Sequence, residues 1–213
     1  MSAVPRVGVL SLQGDFACHR ASLEPLGVEA VRVTLPRDLE RCDALILPGG
    51  ESTTMLRLLD ATGLRAPVEA FVRERPALGT CAGLILLGAC NGDLPAPTFR
   101  VLDVEVDRNA YGRQVDSFSE ELETPVLDGR FLGVFIRAPR IRRVGHEVQV
   151  VARRGVGGEP VGVRAGRVVG LCFHPELTRD ARFHRWFLAE VAGFAIPSAA
   201  AGSGEAALHG GPA

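Results

Sequence analysis

The first half of the chain alternates short apolar runs with helix-like segments, and this alternation narrows the folds available to it. Strands that alternate with helices usually pair in parallel through right-handed crossovers. We therefore predict an α/β fold built on an open, mostly parallel twisted sheet with helices on both faces. The predicted strands are Arg6–Leu12, Val28–Thr34 and Ala44–Leu47. The predicted helices are Asp15–Leu26, Ser52–Ala61 and Ala66–Arg73.

After Gly92 the pattern changes to strand-like runs with few helices, which predicts a small added antiparallel or mixed section. Apolar residues at spacings of three and four then predict a last helix over Arg179–Phe194. We expect one domain over residues 1–196 and a disordered tail of low complexity over 197–213. The late strand runs are Val101–Val106, Phe131–Ile136, Val148–Arg153 and Val168–Phe173.

Composition limits the kinds of partner that the chain can bind. A net charge of −1 offers no field for a nucleic acid or a membrane surface. Five cysteines with no zinc-binding spacing fit reduced thiols better than a disulfide framework, and we predict no metal site. No signal peptide or membrane span is evident, so we expect a cytoplasmic protein.

The chain contains no lysine, because all 24 of its basic residues are arginine. A Walker A phosphate loop, a pyridoxal Schiff base and a lysine general base each need a lysine side chain. Those three chemistries are therefore excluded.

Cys81 lies between glycines at the predicted junction of a strand and a helix, in the segment Gly79–Gly83. This pattern is typical of a nucleophile elbow, in which a tight turn exposes the residue at its apex. The positive end of the following helix would favour the thiolate, which attacks carbonyl carbon. The alternative is a buried structural cysteine.

His174 and Glu176 follow the last predicted strand run. Two residues apart on an extended backbone, their side chains point to the same side, so the carboxylate can orient the imidazole. With Cys81 they form a candidate Cys-His-acid triad, and the alternative is a strand-capping His beside a solvated Glu.

An attack on a carbonyl group also needs donors for the developing oxyanion. The backbone N–H of Ala82, directly after the nucleophile, is the first candidate. The loop Gly49–Gly50 after the third strand can supply a second backbone N–H, for which we select Gly50.

Six motifs together resemble the class I glutamine amidotransferases, and among them the glutaminase subunits of pyridoxal 5′-phosphate synthase. They extend from the first strand to the last helix, and the fourth and fifth are specific to these subunits. The motifs are Leu12–Gly14, Leu47–Thr54, Gly79–Leu84, Arg108–Phe118, Phe135–Pro139 and Phe173–Thr178. The resemblance implies a flavodoxin-like fold.

The resemblance also implies the reaction. Cys81 would attack the side-chain amide of L-glutamine, forming a glutamyl thioester and releasing ammonia with a proton from His174, before water frees glutamate. The residues that the resemblance assigns to substrate binding are Gly50, Glu51, Ser52, Arg108, Ile136 and Arg137. An arginine fork suits the substrate carboxylate, and a carboxylate suits its ammonium group.

Members of this family dock on a separate synthase subunit and pass ammonia to it, and their glutaminase is activated on docking. The synthase makes pyridoxal 5′-phosphate from pentose and triose phosphates. The coenzyme is then a product of the complex, and no cofactor is expected in this chain. Gln13, at the end of the first strand, would communicate with the partner.

Three alternatives remain open from the sequence: a glutaminase that serves imidazole or purine chemistry, a non-catalytic regulatory binding module, and a cysteine hydrolase of esters. His19 and His184 are interpreted as surface or packing residues. The cysteines other than Cys81 are interpreted as structural.

Overall fold

The computed structural model describes residues 4–13, 16–91, 94–108, 117–136 and 139–197. The strands are β1 (Arg6–Leu10), β2 (Glu29–Val33), β3 (Ala44–Leu47), β4 (Ala77–Thr80), β5 (Ala89–Asn91), β6 (Val104–Asp107), β7 (Phe118–Leu122), β8 (Phe131–Phe135), β9 (Arg140–Val144), β10 (Gln149–Arg154), β11 (Glu159–Ala165) and β12 (Val168–Leu171). The α-helices are α1 (Phe16–Leu23), α2 (Pro36–Leu39), α3 (Ser52–Ala61), α4 (Arg65–Glu74), α5 (Ala82–Leu87) and α6 (Arg182–Trp186). Short 3₁₀ turns occupy Glu24–Leu26 and Pro175–Leu177, and a π-helical turn occupies Phe187–Val191.

Seven strands form the main sheet in the order β10-β11-β12-β4-β3-β1-β2. The five strands from β12 to β2 run in parallel, and β10 and β11 add an antiparallel edge. The carboxyl ends of β1, β3, β4 and β12 therefore lie along one edge, where sites collect in open α/β sheets. The predicted α/β fold with a mostly parallel sheet is confirmed.

The central strands β3, β4 and β12 are buried at every residue. Because successive residues of a strand point to opposite faces, this pattern means that both faces of the sheet are covered. The edge of the sheet that carries Cys81 and His174 is therefore formed by the most buried strands of the core.

Two small sheets complete the fold. One has the order β5-β6-β9, with β6 and β9 antiparallel, and the other pairs β7 with β8. They confirm the predicted antiparallel section. Strands β5, β7, β9 and β11 were not predicted, because β5 has only three residues and polar or charged residues interrupt the apolar pattern of the others, as in Arg140–Val144.

The last helix is shorter than the predicted Arg179–Phe194. It begins at Arg182, whose N–H donates to the Asp180 carboxylate at 3.0 Å, so Asp180 precedes the helix. It then widens into the π-helical turn, where the Ala192 N–H donates to the Phe187 carbonyl at 2.8 Å. Gly193, with φ of +74°, ends the segment in the left-handed region.

None of the helices in the described part of the chain is long and apolar enough to cross a membrane. The predicted tail lies outside the described residues apart from Pro197, and its disorder stays a prediction.

Candidate active site

Cys81 occupies a strained turn between β4 and α5. Its backbone angles are φ 49° and ψ −104°, a region that residues with a side chain rarely adopt and that costs on the order of 1–3 kcal/mol. The Cys81 N–H donates to the Leu171 carbonyl of β12 at 2.8 Å, which anchors the turn to the sheet. A strained turn that is fixed between a buried strand and a helix is typical of a functional site.

The glycines on either side of Cys81 are required by close packing. A Cβ on Gly83 would lie 1.9 Å from the Leu47 carbonyl oxygen of β3, and one on Gly79 would lie 2.6 Å from the Gly83 carbonyl carbon. Backbone atoms cannot move aside cheaply at such distances. Glycine therefore lets α5 approach the sheet closely enough to form the turn.

His174 lies three residues after β12 and directly before the 3₁₀ turn Pro175–Leu177. The extended backbone predicted for His174 and Glu176 is therefore wrong, because the turn brings the two side chains together instead. The His174 N–H donates to the Val134 carbonyl of β8 at 2.8 Å, and its Nδ1 lies 2.7 Å from Oε1 of Glu176. Both side chains are almost fully buried. The carboxylate therefore fixes the orientation of the ring and places a proton on Nδ1.

The second ring nitrogen, Nε2, is the one available to Cys81. Burial lowers the pKa of His174, but interactions with the Cys81 and Glu176 side chains outweigh it and raise the pKa to about 10. Within the described residues Nε2 makes no hydrogen bond of standard geometry, and Cys81 acts on the ring through the interaction that raises its pKa. A protonated imidazole beside the sulfur favours the thiolate and holds a proton for a leaving group.

The Gly49–Gly50 loop, which follows β3, lies against both His174 and Gln13. A Cβ on Gly49 would lie 2.3 Å from Cε1 of His174. Gly50 has φ of +143°, and a Cβ there would lie 2.9 Å from Nε2 of Gln13. The loop therefore depends on glycine at both positions, and the Gln13 side chain lies against it at Gly50.

Glu51 and Arg108 meet at the start of α3. The Glu51 carboxylate accepts hydrogen bonds from the backbone N–H groups of Thr53 at 3.1 Å and Thr54 at 2.7 Å. Although burial raises the pKa of Glu51, these hydrogen bonds outweigh it and lower the pKa. Nη2 of Arg108 donates to the same carboxylate at 3.1 Å and to Oγ1 of Thr53 at 3.0 Å.

The remaining predicted site residues surround these groups, with one exception. Ala82 is the first residue of α5, and Ser52, the first of α3, is buried. The Ile136 carbonyl oxygen lies 4.0 Å from Sγ of Cys81. Arg137 lies outside the described residues, as does most of the segment between Arg108 and Phe118.

Sequence reasoning missed two histidines at the site. His19 and His184, interpreted from the sequence as surface or packing residues, are fully buried and in contact with each other. Nε2 of His19 also lies 3.6 Å from Oε1 of Glu176. Only the fold brings these residues together, so no local pattern in the sequence marks them.

The sequence matches the SNO glutamine amidotransferase family over residues 9–193. It is 49% identical over 197 residues to pyridoxal 5′-phosphate synthase subunit PdxT of Mycolicibacterium vanbaalenii, covering 90% of this chain and all of that one. It is 52% identical over 190 residues to the subunit of the same name from Thermus thermophilus, covering 88% of this chain and 97% of that one.

A solved structure described as a glutamine amidotransferase is similar in fold and in sequence. The TM-score is 0.81 at 50% sequence identity, and the match covers 88% of this chain and 99% of the other. With a family match that extends over most of its length, this chain belongs to the SNO glutamine amidotransferase family.

Proposed function

We propose that this chain is the glutaminase subunit of a pyridoxal 5′-phosphate synthase. The observation that carries the proposal is the strained Cys81 turn at the end of β4, beside the imidazole that Glu176 holds at 2.7 Å. Family membership and relatives about half identical, named as subunits of that synthase, support the choice of substrate and partner.

The proposed reaction runs through a covalent intermediate. The Cys81 sulfur adds to the side-chain amide carbon of L-glutamine, and the tetrahedral adduct collapses with cleavage of the C–N bond. His174 gives its proton to the departing nitrogen, which leaves as ammonia. Water then adds to the glutamyl thioester, His174 takes a proton from it, and cleavage of the C–S bond releases glutamate.

Two backbone N–H groups are proposed to bind the oxyanion. Ala82 lies in the first turn of α5, where helix N–H groups have no partner within the helix. The N–H of Gly50 is the second, and the fit of the loop between His174 and Gln13 supports its role. A reorientation of the Gly49–Gly50 peptide on docking would couple activity to the partner.

Glutamine is proposed to bind beside the start of α3. Arg108 can bind the substrate carboxylate through its guanidinium, and Glu51 can accept hydrogen bonds from the ammonium group. Ile136 is proposed to line the approach to Cys81, since its carbonyl oxygen lies 4.0 Å from the sulfur, and Ser52 is proposed as the neighbour of Glu51 at the start of α3. Arg137 is assigned to substrate binding by family resemblance alone.

Ammonia is proposed to pass directly to the synthase subunit, because ammonium formed in water is no longer a nucleophile. Gln13 is a candidate for sensing the partner, since its side chain donates to the Glu51 carbonyl at 2.8 Å beside Gly50. The synthase would make the coenzyme, and we propose no cofactor for this chain. The unpatterned spacing of the five cysteines supports a cytoplasmic location.

Glutamate release from glutamine tests the proposal, measured on the chain alone and with the synthase subunit. Strong stimulation by the synthase, lost in Cys81→Ala and kept in the control Cys90→Ala, is the expected result. Absence of release under both conditions would reject the glutaminase and favour a regulatory binding module. Release of product from simple esters but not from glutamine would instead indicate an ester hydrolase.

A further inference from the structure

Two imidazoles lie behind the proposed triad, on its buried side. Nε2 of His19, on α1, is 3.6 Å from Oε1 of Glu176, and Nδ1 of His19 is 3.3 Å from Nε2 of His184, on α6. Helix α1 packs against the Pro175–Leu177 turn that carries Glu176. The four side chains therefore form one buried row in the order His174, Glu176, His19, His184.

The carboxylate at the centre of this row has few other contacts. Its side chain is fully buried, and within the described residues Oε2 has no hydrogen-bond partner. Its position therefore depends on the two imidazoles next to Oε1, those of His174 and His19. Within the same residues no group of His, Cys, Asp or Glu side chains has an arrangement that would hold a metal ion.

His19 and His184 are both neutral near pH 7. Burial, the neighbouring His184 and His174 lower the pKa of His19 well below its ordinary value. Burial alone lowers the pKa of His184 to about 4. Each ring therefore carries one N–H donor and one bare nitrogen, and the two rings share a single hydrogen bond.

The direction of that hydrogen bond follows from what His19 presents to Glu176. If His19 donated to His184, its bare Nε2 would face the carboxylate, and two acceptors would be buried against each other without a proton. If His184 donates to Nδ1 of His19, the proton of His19 lies on Nε2, which is 3.6 Å from Oε1 of Glu176, an electrostatic contact longer than a hydrogen bond. The second arrangement leaves no such conflict.

We propose that His19 is a positioning residue. His184 selects the tautomer of His19 that carries its proton on Nε2. That Nε2–H holds the Glu176 carboxylate in the position from which it orients His174. The inference rests on the proposed function, in which His174 moves the protons. It assigns a role to two residues that the triad alone does not use.

The test compares variants that keep and remove the donor at similar volume. His19→Leu has no donor, whereas His19→Gln can place an amide N–H near the position of Nε2. Assayed with the synthase subunit, His19→Leu is expected to lower kcat about 10- to 100-fold, as loss of an outer partner does in metal sites. KM for glutamine is expected to stay within about twofold, since substrate contacts are untouched. His19→Gln should recover most of kcat.

Val68→Ala is the matched control for lost stability. Val68 is buried in α4, which contacts α2 and α3 and is not part of the row. The Val68→Ala substitution should lower the midpoint of urea unfolding and leave kcat unchanged. Equal losses of kcat in His19→Leu and His19→Gln would show that His19 only packs, and unchanged kcat in His19→Leu would likewise overturn the proposal. His184→Leu compared with His184→Gln repeats the test if His19→Leu fails to fold.

A second measurement needs no activity. NMR titration of the His174 ring is expected to show a lower pKa in His19→Leu, because a loosened carboxylate stabilises the protonated ring less. The groups that face these rings are Cys81 and Glu176 for His174, and Glu176, His184 and His174 for His19. An unchanged His174 pKa would overturn the positioning role. An inactive wild type would reject the glutaminase itself, and the titration would still decide the role of His19.

Discussion

The Cβ position of Gly49 lies 2.3 Å from Cε1 of His174, so the loop after β3 and the imidazole occupy adjoining space. The proposed oxyanion loop and the proposed general acid are therefore in direct contact, although 125 positions separate them in sequence. Any side chain at position 49 must displace one or the other.

Gly49→Ala is expected to lower kcat by about 100-fold or more, because small misplacements of a catalytic group have effects of that size. The synthase-stimulated release of glutamate measures it. Gly157→Ala is the matched control, since a Cβ there meets no atom within 4 Å. Wild-type kcat in Gly49→Ala would mean that the loop and the ring are further apart than the structure shows.

The raised pKa of His174 predicts a pH dependence of stability. The folded chain holds this proton up to a pKa of about 10, whereas the ordinary value is 6.5. The stabilisation is therefore complete below pH 6.5 and is lost as the pH rises towards 10. Between these limits the group contributes a fall in the free energy of unfolding of up to about 1.4 kcal/mol per pH unit.

Urea unfolding at several pH values measures this fall, with His174→Gln as the comparison. The free energy of unfolding of His174→Gln should fall less steeply with pH than that of the wild type over the same range, since the other groups titrate equally in both proteins. Identical slopes would contradict the account of His174.

Arg108 is predicted to act on substrate binding more than on stability. Arg108→Gln removes the charge that would bind the glutamine carboxylate and is expected to raise KM about tenfold or more, as loss of a charge-assisted hydrogen bond does. Arg130→Gln is the control, because Arg130 also pairs with a glutamate, Glu121, but on an exposed surface. Initial rates over a range of glutamine concentrations separate KM from kcat, and equal KM values in both variants would remove Arg108 from the binding site.

Local signals were enough to predict the parallel half of the fold. The bounds of β3 and α3 were predicted to the residue, because a continuous apolar run forms β3 and Glu51, whose carboxylate caps α3, directly precedes that helix. The glycine pattern around Cys81 likewise predicted a turn that the structure shows to be strained. Steric and capping effects of this kind act over a few residues, and a sequence displays them directly.

Contacts between distant parts of the chain were not predictable in the same way. His19 and His184 are 165 positions apart, and each occurs in a helix whose pattern gives no reason to bury an imidazole. Strand β9 carries three arginines in five residues, and its place in the sheet is beside acidic residues of β6, as Arg143 shows with Glu105 at 2.8 Å. Tertiary pairing decides such elements, and it overrides the local pattern.

The central claim is that the sulfur of Cys81 attacks the amide carbon of glutamine. A glutamine analogue with a chloromethyl ketone in place of the amide tests it, because attack by a thiolate forms a thioether and expels chloride. Peptide mass spectrometry of the chain, treated in the presence of the synthase subunit, locates the label. The account predicts labelling at Cys81 that excess glutamine slows, with the other four cysteines unmodified. An unmodified Cys81, or labelling of Cys18 or Cys90 at the same rate, would contradict it.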